Sequence, residues 1–349
     1  MSSVGERWKA LLTSIRHRDV SSSAWWPVPD DHRLDPAAPA EMFVADAHYF
    51  VVRLHQVHLA TPQEWFARYD PLLFVQTEFM YAGERRREPF VVGPDTLRNK
   101  VQQAPAGMNV TDLQATGLRP YRGGGLELTV VLCRTKIEDA ARRLLSIAER
   151  CLVLPQLFVL AGPYVQVAEA GLDALEAVLG LDDVVPMLGT LHGFDSAAGF
   201  RPNWFVLSKT GALTPEQTWI RGNRLWCGTD PGRLTEPDVD FVLCSLGQAA
   251  ARDDVGQLPE FRGLWNSALS YANQSADEAW EVAKALLAAL QLTVRQSADL
   301  TKSQAADLVD QYEQDMVSVH KQALKRSMLG PPSEEPDPLT YSLAATLAL

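Results

Sequence analysis

Residues 121–135 read YRGGGLELTVVLCRT, and the fold is inferred outward from this stretch. Three consecutive glycines at 123–125 predict a turn, and residues 126–133 predict a β-strand directly after it. Every second side chain of that strand is aliphatic, so one face carries Leu126, Leu128, Val130 and Leu132. The glycines precede a strand and lack the Gly-Lys-Ser/Thr ending of a phosphate-binding loop, so they predict a turn and no nucleotide site.

Further short strands are predicted on both sides of this one. The candidates lie at 41–59, 72–81, 89–92, 108–118, 187–194, 204–209, 219–227 and 240–248. In the first of them, Phe50, Val52 and Leu54 share a face that Val57 and Leu59 do not, which predicts a β-bulge between the two sets. Strands joined by turns, without regular strand–helix alternation, favour an antiparallel sandwich-like or mixed sheet over a parallel doubly wound one.

Helical patterns interrupt and follow these strands. The sequence TPQE at 61–64 matches a helix start, with the helix ending near residue 70. Residues 136–150 form an amphipathic pattern, and residues 151–168 contain no charge. Pro155 and Pro163 argue against a membrane-spanning helix there, so we expect a buried strand or loop followed by a helix to about residue 181. Helices are also predicted at 259–272, 277–294 and 305–323.

The predicted fold class is therefore α+β, with an antiparallel β-rich body, inserted amphipathic helices and a C-terminal α-helical hairpin. We divide the chain into four parts. Residues 1–40 hold a helix and a Pro/Ser-rich loop, and residues 41–250 form the β-rich core with a helical insertion at 136–181. Residues 258–328 contain the helical hairpin, and residues 331–349 form a flexible tail.

Composition limits the classes of function. The 349 residues include 43 acidic and 32 basic side chains, for a net charge of −11, which disfavours nucleic acid as a partner. The first residues lack the apolar h-region of a secretory signal, so we expect a cytoplasmic protein. Four widely spaced cysteines, at 133, 151, 227 and 244, predict buried free thiols rather than metal ligands.

No catalytic, metal-binding or cofactor motif is present in the sequence. The best acid–base or metal candidates are His48, His55 and His58, which cluster in one strand candidate. His55 and His58 point to opposite faces of a regular strand unless the bulge re-aims one of them. We therefore predict no catalytic residue, no metal site and no cofactor, and we interpret the three as ordinary strand histidines.

The helical end carries the features that favour binding of a partner. Stripes with alternating steps of three and four residues resemble those of coiled coils, although packing within the chain is the simpler use of such stripes. The predicted partner-binding residues are Trp280, Leu287, Leu290, Leu308, Tyr312 and Met316, together with the adjacent Trp25 and Trp26. The expected partner is another protein or a second copy of the chain.

These observations favour a non-enzymatic interaction or scaffold protein. We expect an accessory component of a multi-protein bacterial assembly, with defence systems as one example. Two alternatives stay open. Residues 151–181 are largely apolar and could contact a membrane or lipid. A hydrolase is the other alternative, because a catalytic site can be assembled by the fold alone and show no motif in a single sequence.

Overall fold

A computed structural model describes residues 23–35, 41–60, 63–64, 67–93, 102–104, 107–136 and 184–328. Within these ranges the chain forms antiparallel sheets followed by α-helices, which confirms the predicted α+β class. The predicted N-terminal helix, most of the insertion at 136–181 and the tail at 331–349 lie outside the described residues. Among the described helices, none combines the length and apolar character needed to cross a membrane.

The secondary structure begins with strands and ends with helices. The strands are β1 Ser23–Pro27, β2 Tyr49–His58, β3 Gln63–Glu64, β4 Ala67–Tyr81, β5 Glu84–Val92, β6 Gln102–Ala104, β7 Gly107–Gln114, β8 Arg119–Pro120, β9 Leu126–Lys136, β10 Val184–Phe194, β11 Asn203–Lys209, β12 Thr218–Arg221, β13 Arg224–Cys227 and β14 Phe241–Ala249. The helices are α1 Pro259–Ala272, α2 Asp277–Gln296 and α3 Lys302–Met328.

The chain divides into two compact units. The first takes Met1–Phe43, Phe50–Leu118 and Gly123–Gln248. The second takes Val44–Tyr49, Arg119–Arg122 and Ala249–Leu349, so it contains the three helices and two short segments from earlier in the chain. Residues distant in sequence therefore build each unit.

Strand β9, which contains the stretch quoted at the outset, is the central strand of one sheet in the first unit. The sheet runs in the order β10-β9-β4, and β5 pairs with β4. Leu132 lies opposite Leu73 on β4 and Leu188 on β10. Val130 and its neighbour Val131 point to opposite faces, and both are almost completely buried. Burial on both faces explains why this strand is so rich in aliphatic residues.

A second sheet of the first unit runs in the order β1-β11-β14-β2-β7-β6. The ring of Phe50 on β2 contacts that of Phe79 on β4, with centroids 5.1 Å apart, so the two sheets pack against each other through their side chains. The pairing of β2 with β7 shifts register between Leu54 and Gln56, and the extra residues lie on β7 opposite His55, so the bulge predicted within β2 is not shown.

The strand candidate at 219–227 is a β-hairpin made of β12 and β13. Gly222 and Asn223 have φ values of 60° and 59°, the left-handed conformation required in a two-residue hairpin turn. Its inward residues Ile220 and Leu225 are buried in a core cluster on the second sheet. The other buried members of that cluster are Trp26, Val28, Val206, Leu213, Phe241 and Leu243. The hairpin therefore covers part of the sheet formed by β1, β11 and β14.

The prediction of a helix at 61–70 is wrong. Residues 63–64 form β3, and β4 begins at Ala67 and continues through Pro71. Tyr69 and Asp70 pair with Lys136 and Thr135 of β9. Cap residues give a helix start only about 1 kcal/mol of preference, so a ladder of long-range backbone hydrogen bonds overrides them.

In the second unit, α2 and α3 bury the stripes that the sequence indicated. Leu287 and Leu290 are buried on α2, and Tyr312 and Met316 are buried on α3. The ring of Tyr312 lies 4.6 Å from that of Trp265 on α1, measured between centroids. The three helices therefore form a small bundle around these side chains, in which α2 and α3 are the predicted hairpin.

A buried tyrosine ties the start of α3 to the rest of the second unit. The hydroxyl of Tyr49 accepts a hydrogen bond from the Thr301 amide at 2.9 Å and donates one to Oε1 of Gln304 at 2.5 Å. Arg122 supports the loop between α2 and α3, because its Nη2 donates to the carbonyl of Leu300 at 2.6 Å. The unit is thus held by buried polar contacts as well as by its apolar bundle.

Candidate functional site

The three candidate histidines have different surroundings. His48 belongs to the second unit, where its Nδ1 accepts a hydrogen bond from the Val44 amide at 3.0 Å. His58, in the first unit, is 4% exposed and stacks on the ring of Phe241, with centroids 5.5 Å apart. His55 lines an open cavity formed by described residues of the first unit.

The predicted partner-binding residues are mostly packed within their own unit. Trp26 is 7% exposed in the core cluster, and Trp25 stacks on Phe205 with ring centroids 5.1 Å apart. On the helices, the ring of Trp280 stacks on that of His320 at 4.0 Å, and Leu308 is half-buried. These contacts match the simpler use of the stripes, packing within the chain, and binding of a partner by these residues stays a prediction.

The cysteines behave as unreactive thiols. Among the described cysteines, Cys133, Cys227 and Cys244 are free; Cys133 and Cys244 are buried as predicted, whereas Cys227 is only partly buried. Complete burial raises the pKa of the Cys133 and Cys244 thiols far above its usual range, and partial burial raises that of Cys227 to about 11. A thiol with a raised pKa is a poor nucleophile at neutral pH, so none of the three is a candidate catalytic residue.

A cavity of about 300 Å³ opens on the second sheet of the first unit, and we call it the His55 pocket. Its polar lining consists of Arg33, Arg53, His55, Asn203, Asn223 and Ser245. Pro202, Trp204, Leu246 and Gly247 complete the lining. Two guanidinium groups line the pocket, and none of these ten residues carries a carboxylate.

The sheet register brings His55 and Ser245 together in the pocket. Ser245 on β14 lies directly opposite Trp204 on β11, and β2 flanks β14 on the other side. The Nε2 atom of His55 lies 2.8 Å from Oγ of Ser245, and its ring lies 4.0 Å from that of Trp204, measured between centroids. One hydrogen bond and one ring contact therefore fix the plane of the imidazole.

His55 is buried and uncharged at neutral pH. Its side chain is 4% exposed, and its Nδ1 atom has no hydrogen-bond partner among the described residues. Burial, and to a smaller degree the positive charge of Arg53, lowers the pKa of His55 to about 3. A buried ring nitrogen without a partner costs about 1–3 kcal/mol, so a group that supplies one would bind favourably.

Two arginine side chains line the same pocket as this histidine. Arg33 Nη2 donates to Oδ1 of Asp30 at 2.7 Å and also to Oδ1 of Asn203. Its Nε atom is buried and has no hydrogen-bond partner within the described ranges. Burial lowers the pKa of Arg33, although the charge of Asp30 acts in the opposite direction. The Arg33 guanidinium is therefore held in place with one N–H still available.

Gly247 makes room for the second guanidinium. A Cβ atom at position 247 would lie 2.5 Å from Nη1 of Arg53 and 3.0 Å from Cγ1 of Val51. Contacts below 3.0 Å are repulsive for carbon, so any other residue would displace Arg53 or the strand. The glycine in β14 therefore has a spatial role next to the pocket, where the backbone and a side chain approach closely.

The sequence contained only a partial signal for this pocket. His55 was a candidate, but Ser245, Arg33 and Arg53 were not, because they come from strands and a loop far apart in the chain. The usable signal was Gly247, a glycine inside a strand pattern, which often marks a close approach of the backbone to another group.

Neither a metal cluster among the described residues nor a known relative accounts for the pocket. No group of three or more His, Cys, Asp or Glu side chains in the described part of the chain is placed to hold a metal ion. No protein-family model, no curated protein and no solved structure matches the chain.

Proposed function

We propose that this protein is a non-enzymatic binding protein and that the His55 pocket is where it recognises its ligand. The observation that carries the proposal is the buried Nδ1 atom of His55, which has no hydrogen-bond partner among the described residues, in a residue that lines a cavity of about 300 Å³. Small-molecule sites combine a concave surface with a few fixed polar groups, and volumes of about 300 Å³ lie at the lower end of their range. The ligand is accordingly small, or it is one small group of a larger molecule.

A hydrolase is the second candidate, and the 2.8 Å contact between Ser245 Oγ and His55 Nε2 favours it. A serine nucleophile next to a histidine base is the minimal arrangement for acyl transfer. Two features weigh against it. A pKa of about 3 makes His55 a weak base at neutral pH, and no acidic group accepts a hydrogen bond from Nδ1 among the described residues. We therefore favour binding over catalysis.

One pair of measurements separates the two candidates. A fluorophosphonate probe labels a serine that a neighbouring base activates, and we expect no labelling at Ser245, with Ser245→Ala as the control. For binding, the imidazole nitrogens of His55 are followed by NMR while neutral, cationic and anionic small molecules are added. A shift at His55 with any of them supports the proposal. Labelling of Ser245, or no shift with any molecule, contradicts it.

We also propose that the protein acts within an assembly, as the sequence suggests. Two exposed side chains of α2 support this second proposal. Val282 and Leu292 are 41% and 56% exposed although both are large and apolar. The expected partner is another protein or a second copy of the chain. Leu292→Asp should dissociate a self-association seen by light scattering, whereas Gln314→Asp on the exposed side of α3 should not. A chain that is monomeric at all concentrations would exclude the second copy.

A further inference from the structure

We infer that the His55 pocket binds an oxyanion, either a carboxylate or a phosphate group. The inference rests on the proposed binding function and names the chemical class of its ligand. Its basis is the identity and arrangement of the polar atoms in the pocket. The lining offers guanidinium and amide N–H groups, a hydroxyl and an imidazole, and it contains no carboxylate.

The hydrogen bond to Ser245 is compatible with a tautomer of His55 that offers a donor to a ligand. In one tautomer the Ser245 hydroxyl donates to Nε2, and Nδ1 then carries the proton. In this tautomer Nδ1 is a buried N–H donor, and no described residue accepts a hydrogen bond from it. An oxyanion supplies the missing acceptor, and it leaves the serine–histidine hydrogen bond intact.

The two arginines supply the charge that selects an anion. Arg33 already binds one carboxylate, that of Asp30, yet its buried Nε–H has no partner among the described residues. Arg53 lies close enough to His55 for its charge to contribute to the lowered pKa of the imidazole. Guanidinium groups present paired N–H donors that match the geometry of carboxylate and phosphate oxygens. The same positive side chains disfavour a bound cation, because none of the ten lining residues carries a carboxylate.

Two positions offer specific tests of this arrangement. Arg53→Gln removes one positive charge from the lining. Asn223 lies at the hairpin turn with φ of 59°, so Asn223→Gly removes a lining amide while the backbone keeps a conformation that glycine adopts freely. Lys209→Gln is the matched control, because it removes one exposed positive charge from β11 outside the pocket.

The experiment follows the imidazole nitrogens of the seven histidines in protein labelled with ¹⁵N-histidine. The His55 signals are assigned by their loss in His55→Gln. Sodium phosphate, sodium acetate, acetamide and sodium chloride are added at matched ionic strength. Acetate and acetamide have nearly the same shape but differ in charge, so they isolate the anionic requirement. Phosphate compared with acetate shows which oxyanion geometry the pocket accepts.

We expect acetate or phosphate to shift the His55 Nδ1 signal and acetamide and chloride to leave it unchanged. Arg53→Gln should weaken binding at least tenfold, because a charge-assisted hydrogen bond contributes more than a neutral one. Asn223→Gly should weaken it about threefold if one neutral hydrogen bond is lost. Lys209→Gln should bind as the unaltered protein does. If Arg53→Gln does not fold, Asn223→Gly carries the test.

The outcomes distinguish this inference from the proposed function. If acetamide shifts His55 as strongly as acetate, the pocket binds small molecules without regard to charge, so the inference is wrong and the proposed function stands. Equal binding by Arg53→Gln, Asn223→Gly and the unaltered protein would also overturn the inference. If no small molecule of any charge shifts His55, both the inference and the proposed function are wrong.

Discussion

Protonation of His55 should make the first unit less stable in mild acid. The pKa of His55 is lowered to about 3 in the folded protein, whereas an exposed histidine has a pKa near 6.5. Between these two values the unfolded chain binds a proton that the folded chain does not. Stability therefore falls as the pH drops below 6.5, and the contribution of His55 is fully present only above that pH.

The magnitude follows from the size of this shift. Each pH unit inside the window costs about 1.4 kcal/mol, so lowering the pH from 7.5 to 5 should cost about 2 kcal/mol through His55 alone. Because the side chain is 4% exposed, solvent screening reduces this value little. The loss continues to grow down to about pH 3.

Urea unfolding at pH 7.5 and pH 5, followed by tryptophan fluorescence, measures this contribution. His55→Gln should lose about 2 kcal/mol less than the unaltered protein between the two pH values, whatever its own stability. Lys209→Gln, which changes an exposed residue of β11 outside the pocket, should keep the full loss. If His55→Gln and the unaltered protein show the same pH dependence, His55 is not held neutral by burial and this description of the pocket is wrong.

Three pairs of substitutions, each a test with its control, probe the fold within the two units. Tyr49→Phe leaves the buried Thr301 amide without its acceptor, although Gln304 Oε1 still accepts a hydrogen bond from the Arg252 amide, and it should cost about 1–3 kcal/mol in thermal or urea unfolding. Tyr271→Phe, at a 40% exposed position, should cost less than about 0.5 kcal/mol. Asn223→Ala should cost about 1 kcal/mol at its positive φ, and Asn223→Gly should be neutral or stabilising; equal effects would mean that the turn is not left-handed. Leu225→Ala, at a fully buried position, should cost about 2–4 kcal/mol, and Leu191→Ala, at a 49% exposed position, should be nearly neutral.

The fold class could be predicted because it depends on short-range patterns. Alternation of apolar side chains identified β9, short apolar segments between turn residues identified β11 and β14, and steps of three and four residues identified α2 and α3. The turn at Gly222 and Asn223 was visible in the sequence, although it lay inside what looked like one strand. The failure at 61–70 shows the limit of local signals, since the pairing of Tyr69 with Lys136 joins residues far apart in the chain.

The pocket could not be predicted because it depends on long-range register. His55 and Ser245 are separated by 190 positions, and their hydrogen bond exists only because β2 and β14 are neighbours in the sheet. Single-sequence patterns predict that both segments are strands, but they do not predict the order of the strands. The position of Arg33 in the pocket is even harder to predict, because Arg33 follows a short strand in an irregular segment that no periodic pattern describes.

The position of the pocket follows from how far the hairpin extends over the sheet. Along one face of β14 the side chains change from Phe241 and Leu243, which lie in the core cluster with the hairpin, to Ser245 and then Gly247. The hairpin reverses direction at Asn223, whose side chain lines the pocket. The apolar half of the face is thus covered, and the polar half borders a cavity. The side chains of this face become polar at the point where the hairpin no longer covers them. Because the groups beside the cavity donate hydrogen bonds, this arrangement is the one expected of a binding site rather than of a packing defect.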